Sequence, residues 1–200
     1  MTELSTKLDE LVALVPPPGV PDLGTKSWDT VFAELGSPLP ADFMLLVERY
    51  GNFQIGGYGT DWRGENTRRL EYLGVMDPRY AGGSWAKGAV HTGNVYRELR
   101  EAHPDSYPMA AWPEPGGFLS WGNTIDADHF GWLTVGRPDD WPIVLWGRGD
   151  QWADQEPLQI TVTEFLVNWF SGSPDLPHMA DLWPGGSFGP VWCGALLLEP

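Results

Sequence analysis

The sequence predicts an α+β fold. Segments with helical periodicity come first, and a run of short, closely spaced strand-type segments follows. The chain has 200 residues with 42% hydrophobic and 13% aromatic content, enough to build one packed core. Twelve of those residues are tryptophan, which points to an interior filled by large rings.

The helical part opens with Leu4, Leu8, Leu11, Val12 and Val15, one apolar stripe that ends at Pro16-Pro17-Pro18-Gly19. A Pro/Gly-rich connector runs to about Lys26. Ser27 suits the N-cap of a second helix, with Trp28, Val31, Phe32 and Leu35 inward and Gly36 as its stop. Pro40 and Asp42 suit the first turn of a third helix, whose apolar face is Phe43, Leu46, Val47 and Tyr50.

The strand part is less even. Residues 53–66 are Gly-rich and read as an irregular strand and loop, 70–75 as a strand, and 107–112 as another. A helix is expected over 94–102, exposing Arg97, Glu98, Arg100 and Glu101. The densest signal lies at 113–149. Two β-type runs, 130–135 and 141–146, are joined by Gly136-Arg137-Pro138-Asp139-Asp140. Ahead of them Trp121-Gly122-Asn123-Thr124 reads as a turn leading to Asp126 and Asp128. This predicts a hairpin that fills a core with Trp121, Trp132, Trp141 and Trp146 and lifts acidic loops into water. A short strand at 160–162 precedes a last helix, capped by Thr161 with Glu164 three residues on, that runs to Phe170. Residues 174–200 are Pro/Gly-rich and are expected to pack back as an extended tail.

The net charge is −15 and the pI about 4.4. Most of the excess sits in residues 101–200, which carry 2 basic and 14 acidic side chains. Such a surface repels nucleic acid and anionic membranes and attracts a basic partner. Arg63, Arg68, Arg69 and Arg79 fall in the middle segment and read as a solvated face. The lone Cys193, in apolar company, reads as a buried inert thiol and suits a reducing cytoplasm. Neither a signal peptide nor a membrane-spanning stretch is expected.

Signals for chemistry are thin. His91, His103, His129 and His178 stand apart from one another and from the cysteine, so no metal or other cofactor is expected. The cluster Asp126, Asp128 and His129 is the one dense titratable group that could serve as a cation site or acid/base pair, and the favoured reading is a polar turn entering a strand. Gly56-Gly57-Tyr58-Gly59 and Gly82-Gly83 lack the strand, helix and lysine of a phosphate cradle.

Three strings then stand out together: Leu119-Ser120-Trp121-Gly122, Asp126-Ala127-Asp128-His129-Phe130-Gly131-Trp132, and Gly136-Arg137-Pro138-Asp139-Asp140-Trp141. With 36–43, Tyr50-Gly51 and 161–166, their order resembles the SUKH superfamily. That superfamily includes immunity proteins of bacterial polymorphic toxin systems and fungal cell-wall synthesis regulators. The likeness spans about 27–172, leaving residues 1–26 and 173–200 as extensions of a single domain over 1–200. It implies a twisted, mostly antiparallel sheet with helices on one face. It also implies a cytoplasmic, non-enzymatic immunity protein that masks the basic active surface of a cognate toxin, most often a nuclease. The residues expected at the partner face are Asp126, Asp128, Asp139, Asp140 and Trp141, with Asp150 and Trp152 behind them; Asp126 and Asp140 serve equally well as turn caps. Two other readings remain open: a regulatory scaffold that binds client proteins, and an enzyme centred on Asp126, Asp128 and His129.

Overall fold

A computed structural model of the chain describes residues 3–60, 67–147, 156–172, 176 and 191–196. It is an α+β fold, as the sequence predicts. Among the described residues five α-helices, α1 (Glu3–Leu14), α2 (Trp28–Leu35), α3 (Ala41–Tyr50), α4 (Trp85–Ala102) and α5 (Val162–Phe170), accompany a six-stranded antiparallel sheet. Its strands are β1 (Phe53–Thr60), β2 (Thr67–Val75), β3 (Phe118–Asn123), β4 (His129–Leu133), β5 (Ile143–Trp146) and β6 (Val191–Ala195), in the order β5-β4-β3-β2-β1-β6. Among the described residues no helix is long and apolar enough to cross a membrane.

The caps hold the helices where the sequence puts them. The Ser27 side chain accepts from Thr30 N–H and Gly36 closes α2 at φ 83°, a left-handed conformation that suits glycine. Thr161 caps α5 by accepting from Glu164 N–H. Pro40, at the start of α3, has no side-chain oxygen to offer, and the cap arrives from 98 residues along the chain: Asp139 Oδ1 accepts from Ala41 N–H at 2.7 Å. Asp42, in the first turn, is buried and accepts from Thr163 N–H at 3.1 Å, joining α3 to α5. Burial raises its pKa against the pull of that bond.

The core lies between the sheet and α1, α3 and α5. Trp121, Trp132, Phe130 and Leu119 come from the sheet; Phe43 and Phe165 meet them from α3 and α5. Trp121 is 2% exposed and Trp132 1%, so both are the core rings the sequence predicts. The Trp121 Nε1–H finds no acceptor among the described residues, a cost that the contacts of its ring must outweigh.

Several elements differ from the sequence reading, each for a local reason. Helix α4 starts nine residues before the expected 94, because Ser84 caps it by accepting from Lys87 N–H while Gly88, Val90 and Gly93 dilute its helical signal. Gly93 has its own use: a Cβ there would run into the Trp112 carbonyl oxygen. The first residue of α4, Trp85, meets Phe43 of the main core; three turns on, Tyr96 touches Phe118 and Trp146 on the other side of the sheet. Residues 121–124, expected as a turn, belong mostly to β3, where a bulge between Ser120 and Gly122 keeps the ladder to β4 in step. The expected strand at 107–112 is reduced to one bridge, Ala111 to Phe118, and the one at 160–162 to a bridge at Leu158, because Thr161 already begins the helix cap. Residues 53–60 form a strand throughout, and the irregularity at Ile55/Gly56 is taken up by the partner strand β2, which carries one extra residue, Tyr72.

Two further expectations are corrected. Arg79 is not a solvated cation. Its guanidinium pairs with the fully buried Asp77 at 2.8 Å and lies over the Trp28 ring at 5.0 Å. Asp77 also accepts from Gly24 N–H, which ties the Pro/Gly connector to the body. Cys193 is half-buried, not buried, because the tail returns as the edge strand β6, covered by a neighbour on one side.

Candidate functional site

The two acidic loops lie at opposite ends of β4. A five-residue strand rises about 3.3 Å per residue, so roughly 15 Å separates them and they do not make one patch. Each is built by different means.

The β3–β4 turn holds Asp126 and Asp128. Thr124 N–H donates to Asp128 O at 2.9 Å, Asp128 N–H to Thr124 Oγ1 at 3.1 Å, and Thr124 Oγ1 in turn donates to the Asp128 carboxylate at 3.0 Å. Asp128 is therefore a buried clasp at 9% exposure, not a surface contact. Ala127 sits at φ 66°, a left-handed backbone that a non-glycine residue adopts at a cost. The clasp and the turn leave Asp126 exposed at the tip beside Ile125, which is 75% exposed. Ile125 is the residue that sequence reasoning missed. Its signal was an isoleucine between two residues, Thr124 and Asp126, that the strand pattern could not absorb.

The β4–β5 connection holds Asp139, Asp140 and Trp141. Asp139 is exposed but engaged as the cap of α3. Asp140 accepts two bonds from the Arg137 guanidinium, at 2.8 and 3.1 Å, and that pairing lowers its pKa. Trp141 is 6% exposed, 6.0 Å from Trp132, and its Nε1–H reaches Gly136 O. The structure thus moves Trp141 from the expected partner face into the core, because the 3-10 turn Pro138–Asp140 folds the chain back over β4. Asp150 and Trp152 lie outside the described residues.

The titratable cluster is likewise drawn apart. His129 stacks on Trp146 at 4.8 Å and 16°, and its Nδ1 lies 3.2 Å from Ser120 Oγ. Burial lowers its pKa, with nearby Asp128 opposing. The Asp128 carboxylate is taken by Thr124, and Asp126 points from an exposed tip. Among the described residues no group of three or more His, Cys, Asp or Glu could hold a metal ion.

Compared with known proteins, the chain matches no family model, no curated protein and no solved structure. The likeness to the SUKH superfamily therefore rests on the motif strings themselves. In this chain those strings make β3, β4, both acidic turns and the buried rings between them.

Proposed function

We propose that the chain is a non-enzymatic protein-binding domain, an immunity protein that neutralises a cognate toxin in the cytoplasm by covering a basic surface, most readily that of a nuclease. The observation that carries this reading is the β3–β4 tip: an apolar Ile125 and an anionic Asp126 held outward on a turn clasped from within. Such a tip offers a partner one apolar anchor and one charge with little ordering left to lose on binding. The acidity of residues 101–200 adds long-range attraction for a basic partner and speeds encounter. The motif likeness to immunity proteins supports the same reading.

The test is co-purification of the chain from its native cell, followed by association kinetics with the captured toxin domain over a range of salt. Association should slow as salt rises, because screening shortens the reach of the charges. Asp126→Asn should lower the on-rate and Ile125→Ala should raise the off-rate. A salt-independent on-rate together with two silent variants would remove the tip as the partner face.

A further inference from the structure

At the outer edge of the sheet, β5 pairs once with the chain at Leu158 and then parts from it. Ile143 N–H donates to Leu158 O at 2.9 Å, and Leu158 N–H to Ile143 O at 2.8 Å. Antiparallel pairing continued by two residues would set Leu145 against Glu156, but no bond joins them. A cavity of about 200 Å³ opens there, walled by Tyr107, Met109, Val144, Trp146 and Leu158, with Tyr96 beneath. The Tyr96 ring stands edge-on to Tyr107 at 5.6 Å and to Trp146 at 5.0 Å.

Two sets of polar groups border this apolar space. Leu145 lines the cavity, yet its side chain belongs to the main core on the other side of the sheet, so its backbone is what faces the space. Alternation agrees. Leu133 N–H donates to Pro142 O, which turns 142, 144 and 146 toward β4 and 143 and 145 away from it. Among the described residues the Leu145 N–H and C=O have no partner. Tyr96 is 1% exposed; its oxygen accepts from Met109 N–H at 3.1 Å, and its own O–H has no acceptor among the described residues.

A ring-walled pocket selects a large apolar side chain. An outward backbone donor and acceptor on an edge strand select a peptide. We propose that this edge takes an extended segment of a partner protein, with one aromatic side chain seated against Tyr96, Tyr107 and Trp146 and its backbone amides paired with Leu145. The net acidity of residues 101–200, with Glu156 exposed at the rim, favours a segment with basic flanks. This site is separate from the β3–β4 tip and stands whether or not the tip binds a toxin.

The experiment uses the full chain, labelled with nitrogen-15, and three probes: N-acetyl-phenylalanine methylamide, N-methylacetamide and p-cresol. The first should give saturable shifts at the Leu145 amide and the Trp146 indole N–H; the second carries only the amide and the third only the ring, and both should bind roughly tenfold more weakly or worse. Met109→Trp, which fills the mouth, should weaken the first probe by roughly tenfold. Tyr96→Phe, which removes one hydroxyl, serves as the second variant and should weaken it several-fold while the melting curve confirms a folded chain. Three results overturn the proposal. One is p-cresol binding as tightly as the dipeptide analogue with Leu145 unmoved, which marks a small-molecule pocket. Another is a concentration-dependent dimer that protects the Leu145 amide, which gives the edge to a second copy. The last is the absence of any saturable shift.

Discussion

The turns at the two ends of β4 have similar composition and opposite fates. The β3–β4 turn has two aspartates around an alanine; the β4–β5 connection has two aspartates before a tryptophan. In the first, one carboxylate is spent on a clasp to Thr124 so that its neighbours Ile125 and Asp126 stand free. In the second, Asp139 caps α3 and Trp141 fills the core, while Asp140 is held at the surface by Arg137 of the same turn. An acidic loop in a sequence is thus not yet a binding loop. What decides is whether a donor, from the same turn or from another element, lies within hydrogen-bond reach of its carboxylates. Helix α3, starting at a proline without a cap of its own, lies within reach of the second turn.

Substitutions can break this contrast, and the largest effects belong to the rings beneath both turns. Trp121→Ala or Trp132→Ala should cost about 3–5 kcal/mol, seen as a lower urea midpoint, since each leaves a large cavity. Trp141→Ala should cost about 3 kcal/mol and change no binding rate beyond what unfolding explains. A normal melting curve for that variant would return Trp141 to the partner face.

Smaller effects sharpen the comparison. Asp139→Ala removes the cap of α3 and should cost about 1 kcal/mol in thermal or urea unfolding. Asp126→Asn, of identical charge change at the other turn, should leave unfolding where it is and act on association alone. Equal unfolding costs for the two would erase the distinction between them. Ala127→Gly relieves the left-handed backbone and should raise stability by up to about 1 kcal/mol.

Asp140→Asn should have the smallest effect, because its pair with Arg137 is exposed and screened. The sign of its pH dependence follows from a native pKa below the usual 3.8: the contribution is present above pH 3.8 and is lost as pH falls through the lowered native value. Acid melts of the parent and variant should therefore converge at the lowest pH and differ only slightly near neutrality. A large gap at neutral pH would show that the pair bears on the fold.

Much of the fold was legible because its cues are local. Ser27, Thr161 and Gly36 act on backbone groups a few residues away, and the apolar spacing of α1, α2 and α3 repeats within one or two turns. The early half of α4 was not legible. Its glycines lower helix propensity, and the value of Gly93 lies in the close approach of Trp112, which the local sequence does not announce. The bulge that draws 121–123 into β3 was hidden for a similar reason: Gly122 and Asn123 are turn residues by type, and only the partner strand makes them part of a ladder.

The same division runs through the candidate sites. The sequence alone established the α+β class, the caps of α2 and α5, the burial of Trp121 and Trp132 and the acidity of the second half, because periodicity, local capping and net charge are properties of neighbouring residues or of composition. Only the tertiary structure decided which aspartates remain at the surface, that Trp141 turns inward, that Arg79 is claimed by Asp77, and that β5 and the chain at 156–158 part to leave a pocket. Some of these depend on partners far along the chain, as Asp139 does on Ala41 and the Arg79 guanidinium on the Trp28 ring, or on an edge left without one; others, such as Asp77 with Arg79 and Thr124 with Asp128, join near neighbours that only the folded backbone brings into bonding geometry.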